Sequence, residues 1–271
     1  MSTDKRPFDI QFPFSNRVNS FRYYFDLTWH LVQRDFTLRY KGSVLGIFWV
    51  LAVPLMQLMT MVFVFKKVIP LHIDAYPAFV FTALLPWTWF SSSLSKAGSL
   101  FIGNRDLLRL PNFRPVILII VNTISNLLLY LCVLPLVFLT LYVYGHSPSW
   151  TFSYVPLLML VESLLIIGLS LMIATWNVFY RDVQQIVGVL VTLLFWITPI
   201  FYRARQVDPE YQSLYAVNPI AVLITNYREV MFYSHPLNWN SFFYSFAVSL
   251  GIAVVGYIVY NRQLHQAVDA L

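Results

Sequence analysis

Charge is scarce in this sequence, and so is cysteine. Only 11% of the 271 residues are charged and 58% are hydrophobic, whereas charged residues make up about a quarter of ordinary soluble domains. The single cysteine, Cys132, excludes an intramolecular disulfide. This composition excludes an ordinary soluble protein and indicates an integral membrane protein.

Motifs that mark catalytic or nucleotide-binding proteins are absent as well. The sequence contains no GxxxxGK[ST] loop that would cradle a nucleotide, and no HExxH, CxxC or GxSxG motif. Its five histidines are scattered along the chain. We therefore expect a chain that is not an enzyme by itself and binds no cofactor or metal. Its energy source must be an ion gradient or a second subunit.

Long apolar runs are what the sequence does contain. A helix needs roughly 20 apolar residues to cross about 30 Å of hydrocarbon. These runs lack the strict alternation of barrel strands and are twice their length, so helices are favoured. Six runs qualify: residues 44–65, 76–95, 115–143, 155–176, 184–202 and 241–260. The predicted fold is an all-α integral membrane protein with six transmembrane helices.

Basic residues predict the orientation of these spans, because Lys and Arg collect in cytoplasmic segments. Assigning residues 1–43, 96–114, 177–183 and 261–271 to the cytoplasm collects 13 of the 18 Lys and Arg residues. Both ends are then cytoplasmic, with 1–19 and 261–271 as tails and the other segments as loops. The net charge of +6 is explained by the membrane topology and by attraction to anionic lipid headgroups, so nucleic-acid binding is not needed to explain it.

Residues 20–43, which precede the first span, predict an amphipathic helix. Phe25, Trp29, Val32 and Phe36 share one helical face, and polar residues occupy the opposite face. Such a helix lies in the cytoplasmic interface with its aromatic rings among the lipid headgroups. An amphipathic helix that packs on another protein is the alternative.

Residues 203–240, between the fifth and sixth spans, are too long for a tight loop. Within them, residues 218–233 are too few to cross the membrane and include Arg228 and Glu229. We expect an outer re-entrant segment that dips into the outer leaflet and returns, or one that lies flat on it.

Glu162 is the one ionisable side chain predicted in mid-membrane, where a carboxylate costs roughly 2.5 kcal/mol or more. The third span carries Asn122 and Asn126. If the third and fourth spans are antiparallel, Glu162 lies at a depth near Asn126, and we expect an interhelical hydrogen bond. A place in a transport path and a proton-coupling role are the alternatives.

Several strings resemble the permease subunit of ABC transporters that export polysaccharides, namely O-antigen, capsule and teichoic-acid exporters. The strings RDFTLRYKGSVLGIFWVLAVPLMQL (34–58) and NVFYRDVQQIVGVLVTLLFWITPIFY (177–202) are similar to its first-span junction and its fifth span. LYAVNPIAVLITNYREVMFY (214–233) is similar to its outer re-entrant region, and RDLLRLPNFRPVIL (105–118) matches an inter-span loop more loosely. The resemblance covers about residues 20–262.

The resemblance implies a multi-pass protein of the bacterial cytoplasmic (inner) membrane. Two copies of the chain would assemble with two copies of a separate ABC ATPase that carries ATP and Mg, and the cargo would be a lipid-linked glycan. Spans one and five would form the seam between the copies. Contact with the ATPase would then fall to Arg34, Asp35, Arg39, Asn104, Arg105, Asp106, Arg109, Arg181 and Asp182. The translocation corridor would be lined by Trp49, Phe63, Trp87, Phe195 and Trp196.

Three other functions remain open at this point. An ABC permease of the same fold could export a drug or a small lipid. A membrane-embedded enzyme would need converging carboxylates or a metal site, and an ion-coupled carrier would depend on Glu162. For Arg181 and Asp182, a solvated turn with Arg181 as a positive-inside anchor is the alternative to contact with an ATPase.

Overall fold

The computed structural model describes residues 20–69, 71–110, 113–147 and 149–269. Within these ranges the chain forms helices and no β-strand, so the predicted all-α class is confirmed. The expected tail 1–19 and the last two residues lie outside the described residues.

The described residues form eleven α-helices, and a π-helical turn, Val64–Val68, continues the second of them. The helices are α1 (Ser20–Tyr40), α2 (Trp49–Phe63), α3 (Tyr76–Ala97), α4 (Ser99–Gly103), α5 (Arg105–Leu108), α6 (Val116–Val143), α7 (Val155–Phe179), α8 (Asp182–Ile197), α9 (Pro209–Val217), α10 (Pro219–Met231) and α11 (Trp239–Asp269). All six predicted spans overlap a helix. The sixth is longer than predicted, because α11 continues through residues 261–269.

Four helical stretches in the described part of the chain are long and apolar enough to cross a membrane: Trp49–Val68, Val116–Val143, Trp150–Phe179 and Trp239–Leu264. The two other predicted spans fall short for different reasons. α8 is apolar but has only 16 residues. α3 has 22 residues, but its serines, prolines and tryptophans lower its mean hydropathy.

α3 lies at the centre of the fold and contacts α2, α6, α7, α8 and α10. Of its 22 residues, 17 are buried, including Phe79, Phe81 and Trp89. Inside a bilayer such contacts stabilise by van der Waals packing and hydrogen bonding, since lipid is as apolar as the side chains. The indole Nε1 of Trp89 donates to the carbonyl of Thr123 in α6 at 3.2 Å, which satisfies its buried donor.

Two glycines allow α7 and α11 to approach closely. A Cβ on Gly168 would lie 2.6 Å from the Cα of Ala253, and a Cβ on Gly256 would collide with the carbonyl oxygen of Gly168. Small residues at a crossing are the usual means of close packing between membrane helices. This contact joins the last helix to the body of the bundle.

α1 packs along the first half of α6, where Leu31 and Val32 contact Ile117 and Val121. Only part of the apolar face that the sequence predicts for α1 is therefore buried against α6. Val32 is buried against α6, whereas Phe25 and Trp29 remain 63% and 47% exposed. α1 is fixed to its own chain and still presents aromatic rings to its surroundings.

Candidate functional site

The two ends of the bundle carry different polar groups. At one end, the loop end, α3 and α7 finish, α6 and α8 begin, and α4 and α5 form the connection. At the other, the cap end, α10 packs against the part of α3 near Phe79, and α9 contacts α10. Most of the residues expected to contact an ATPase lie at the loop end, and the residues of the expected re-entrant segment lie at the cap end.

A polar cluster at the loop end, the clamp, joins α1 to the connection and to α6. It consists of Arg34, Asp35, Arg39, Lys96, Asn104 and Asn126. Asp35 is its centre, since its carboxylate forms ion pairs with Lys96 at the end of α3 and, at 3.4 Å, with Arg39 one turn further along α1. These pairs are partly exposed, so each contributes only about 0–1 kcal/mol to stability.

The remaining bonds of the clamp reach further across the fold. The guanidinium of Arg34 donates to Oδ1 of Asn104 at 2.8 Å, and the guanidinium of Arg39 donates to Oδ1 of Asn126 at 3.2 Å. Asn126 in turn donates to the Ser93 hydroxyl at 3.2 Å. The clamp therefore connects α1, α3, α6 and the α4–α5 connection in one network.

A second polar contact, the junction, connects the two loops of this end. Nδ2 of Asn177 donates to the carbonyl of Gly98 at 2.9 Å, and its Oδ1 accepts from the backbone N–H of Gln184 at 3.0 Å. The Gln184 side chain donates to the carbonyl of Ser95 at 2.5 Å. A Cβ on Gly98 would collide with Oε1 of Gln184, so a larger residue there would have to displace the Gln184 side chain from the junction.

The other expected ATPase-contacting residues are exposed at the loop end. Arg105 and Asp106 lie on α5, Arg181 lies in the turn between α7 and α8, and Asp182 is the first residue of α8. Asp182 occupies the first turn of α8, where a carboxylate is stabilised by the helix dipole. Arg109, which directly follows α5, is also exposed.

Arg228 is the anchor of the cap end. Its guanidinium donates to the carbonyls of Pro199 and Ile200 at 2.8 and 2.6 Å, and it lies 3.8 Å from the centre of the Phe79 ring. An arginine side chain keeps its charge in proteins, so both carbonyls accept charge-assisted hydrogen bonds. Because Thr198 adopts extended backbone before Pro199, α8 ends there and releases the carbonyls that Arg228 binds.

Glu162 of α7 is fully buried, and its Oε2 accepts a hydrogen bond from the Tyr227 hydroxyl of α10 at 2.9 Å. Glu162 therefore does form an interhelical hydrogen bond, but its partner is Tyr227 of α10 and not Asn126 of α6. Asn126 bonds within the clamp and with Asn122 instead. The carboxylate serves to hold α10 against α7.

α10 itself is more deeply packed than a helix lying flat on a membrane. It begins after Asn218, whose Oδ1 accepts from the backbone N–H of Ile220 at 3.2 Å, with Pro219 in the first turn. Nine of its 13 residues are buried. Its contacts are with α3, α7, α9 and α11.

The expected corridor residues divide into an exposed and a buried set. Trp49 and Phe63 of α2 and Trp196 of α8 are exposed, and Phe195 is half-buried. Trp87 is buried, with its ring centre 5.7 Å from that of Phe195. Trp87 therefore packs against the corridor candidate Phe195 and does not present its own ring at the surface of this chain.

Sequence reasoning missed three residues of the loop end: Lys96, Asn177 and Gln184. Lys96 was a foreseeable candidate, as the one charged side chain in α3. Asn177 and Gln184 lie at the two sides of the short turn that carries Arg181, but their bonds reach residues more than 70 positions away along the chain. No cluster of three or more metal-ligating His, Cys, Asp or Glu residues occurs in the described ranges.

Comparison with known proteins adds independent information. Residues 26–232 match the family described as ABC-2 type transporter. An O-antigen export system permease protein RfbA of Klebsiella pneumoniae is 30% identical over 92% of this chain and 96% of its own length. The RfbA protein of Myxococcus xanthus is 34% identical over 76% of this chain and 80% of its own length.

A more distant relative has a related name. The polysialic acid transport protein KpsM of Escherichia coli is 23% identical over 83% of this chain and 90% of its own length. The family match spans all helices from most of α1 to α10, including the clamp, the junction and Arg228. The chain therefore belongs to the ABC-2 type transporter family, whose members are transport subunits.

Proposed function

We propose that this chain is the transmembrane subunit of an ATP-driven exporter that moves a lipid-linked polysaccharide, O-antigen-like or capsular, across the bacterial cytoplasmic membrane. The observation that carries the proposal is the shared description of the relatives: O-antigen export permeases at 30–34% identity and a polysialic acid transport protein. Because the sequence has no GxxxxGK[ST] loop, a separate subunit would hydrolyse the ATP.

In the proposed arrangement α2, α3, α6, α7, α8 and α11 cross the membrane, and α9 and α10 form the re-entrant segment on the outer side. The loop end and both chain ends face the cytoplasm, as the excess of Lys and Arg there favours. The burial of Arg228 and its hydrogen bonds to the carbonyls of Pro199 and Ile200 support a re-entrant α10, because polar groups at membrane depth must be satisfied by protein.

Two copies would meet along α2 and α8. Only 11% of the apolar window of Trp49–Val68 is buried, compared with 56% for Val116–Val143, and α8 buries only Val187. An apolar helix with so few contacts in its own chain faces lipid or another subunit. With a second copy opposite, Trp49, Phe63, Phe195 and Trp196 would line the seam. Aromatic rings suit a sliding glycan, since the C–H faces of sugars pack on them as apolar surfaces do.

The loop end would be the surface that receives the ATPase. Arg105, Asp106, Arg181 and Asp182 are exposed there and would make the contact. The clamp would carry the resulting movement from α1 and the α4–α5 connection to α3 and α6, and the junction would keep both loops together. ATP-driven closure of the two ATPase copies would then open the seam, and the lipid-linked glycan would enter from the inner leaflet.

Deletion of the chain from its native cell tests this proposal. We expect the surface polysaccharide to disappear and its lipid-linked form to accumulate on the inner side of the membrane, with recovery when the wild-type chain is restored. An ATPase-inactive partner should give the same accumulation. Retention of a drug or a small lipid, with normal surface polysaccharide, would instead establish the alternative permease function.

A further inference from the structure

A groove at the cap end has no role in the seam described above. It is bounded by residues 203–206, α9, α10 and the start of α11, and it consists of two cavities of about 500 and 570 Å³. The two cavities share the wall residues Arg205, Thr225, Glu229 and His235. Cavities of roughly 300–1,000 Å³ are of the size that holds small organic ligands.

Asn226 gives this groove a donor that lacks a partner. Its side chain is only 3% exposed, its Oδ1 accepts from the Ser241 hydroxyl at 2.7 Å, and it lines the first cavity. Its Nδ2 finds no hydrogen-bond partner among the described residues. A buried donor left unsatisfied costs about 1–3 kcal/mol, and an acceptor on a ligand that reached Nδ2 would offset this cost.

The other walls combine donors with ring faces. Arg203 and Arg205 line the second cavity, and Nε of Arg203 also has no partner in the part of the chain described. His235 is bonded to Glu229 at 2.7 Å, and its ring stacks on that of Tyr233 at 5.7 Å. Hydroxyl and acetal oxygens of a sugar accept from such donors, and its C–H face packs on such rings.

A run of aromatic contacts connects the seam with the groove. The ring centres of Trp196 and Phe201 are 5.5 Å apart, those of Phe201 and Tyr202 are 4.9 Å apart, and those of Tyr202 and Tyr215 are 6.2 Å apart. Tyr215 lines the first cavity. The groove therefore begins where the aromatic surface of α8 ends.

We propose that this groove is a saccharide-binding site, which holds sugar units of the exported glycan as they leave the seam on the outer side. The inference rests on the proposed export function and assigns a second point of contact with the same cargo. Asn226 and the arginines would bind sugar oxygens, and Tyr215 and His235 would pack on the sugar faces.

Site-directed photocrosslinking in living, exporting cells tests this site whatever the identity of the sugar. The photocrosslinker p-benzoylphenylalanine in place of Ala216, which lines the first cavity, should yield a chain–glycan conjugate that a carbohydrate stain detects. The same group in place of Val217, the exposed neighbour on α9 outside the cavity walls, is the matched control and should yield none. If Ala216 does not tolerate the group, Gln206 in the second cavity serves the same purpose.

Val222→Trp, which fills the first cavity from its wall, should abolish the conjugate at Ala216. An inactive ATPase partner should abolish it as well, because only exported glycan reaches the groove. Equal conjugates at Ala216 and Val217, or conjugates with a phospholipid headgroup instead of glycan, would overturn the proposal.

The photocrosslinker in place of Trp196 separates this inference from the export function. Conjugates at Trp196 together with none at Ala216 or Gln206 would leave the exporter standing and reject the groove. No conjugate at any position, with normal surface glycan after deletion of the chain, would reject both.

Discussion

α3 and α8 are both predicted spans, but they are built in opposite ways. α3 buries 17 of its 22 residues within the chain although its hydropathy is modest. α8 buries one of its 16 residues although it is almost wholly apolar beyond its first turn. In this pair the apolar helix has few contacts inside its own chain, and the helix of mixed composition lies at the centre.

Membrane physics explains this inversion. Lipid exerts no hydrophobic force between helices, so a central helix is held by close packing and by hydrogen bonds from side chains such as Trp89, and it tolerates serine and threonine. A helix that faces lipid or a second subunit has to be apolar throughout. α3 therefore contributes to the stability of one chain, whereas α8 is left to face lipid or, in the proposed exporter, a second copy.

The largest expected effect separates the two helices by a matched substitution. Leu84 of α3 is 2% exposed and Leu193 of α8 is 53% exposed. Leu84→Ala should destabilise the fold by about 2–5 kcal/mol through the cavity it leaves, and Leu193→Ala by less than about 1 kcal/mol. Thermal unfolding of the detergent-purified chain measures both. Equal losses would remove the distinction between a central and an outward-facing helix.

The hydrogen bond between Glu162 of α7 and Tyr227 of α10 offers a second test of what stabilises the interior of one chain. Glu162→Ala removes the acceptor of the Tyr227 hydroxyl and should cost about 1–3 kcal/mol of stability, seen as reduced thermal stability and protease resistance. Glu162→Gln keeps an oxygen acceptor, so both stability and export should stay near wild type. If Glu162→Gln folds normally but abolishes export, the carboxylate takes part in transport, and the ion-coupled alternative returns.

The aromatic rings of the seam should affect transport more than stability. Trp49→Ala and Trp196→Ala each remove an exposed ring. An aromatic contact worth about 0.5–1.5 kcal/mol corresponds to a roughly two- to tenfold slower export. Trp150→Ala, at an exposed tryptophan on neither α2 nor α8, is the control for loss of a surface ring. Pulse labelling of surface polysaccharide measures the rate, and normal export in Trp49→Ala would remove that residue from the corridor.

The smallest effect on stability is expected at the clamp, because its ion pairs are partly exposed. Lys96→Ala should cost about 0–1 kcal/mol of unfolding free energy. It should nevertheless reduce export relative to ATP hydrolysis, since the clamp joins α1 to α3. Lys41→Ala, at an exposed lysine just after α1, is the control. A constant ratio of export to hydrolysis in Lys96→Ala would show that the clamp transmits no movement.

The sequence predicts the helices of this chain better than their contacts. Apolar runs place residues 115–143 within one residue of the observed α6, since length and hydropathy are local properties. The amphipathic pattern likewise finds α1. Helical phase is not local, because it depends on which face meets a neighbour. Trp87 and Trp196 are equally aromatic in sequence, yet one is buried and the other exposed.

Long-range polar pairing is what the sequence does not reveal at the site. Matching Glu162 in depth to Asn126 assumes that its partner comes from the adjacent span. Its partner Tyr227 comes from α10, a segment whose depth does not follow from its length. The junction could not be predicted from the sequence for the same reason. Asn177 and Gln184 flank a short turn, and only the folded chain brings the end of α3 within hydrogen-bonding distance of them.

In the exporter that we propose, two copies of this chain work with two copies of a separate ATPase. Native mass spectrometry of the complex, tagged on this chain and purified gently from its own membrane, tests this claim most directly. We expect a complex of two permease and two ATPase subunits that hydrolyses ATP. A chain that is recovered alone, or as a dimer without any nucleotide-binding subunit, would contradict it.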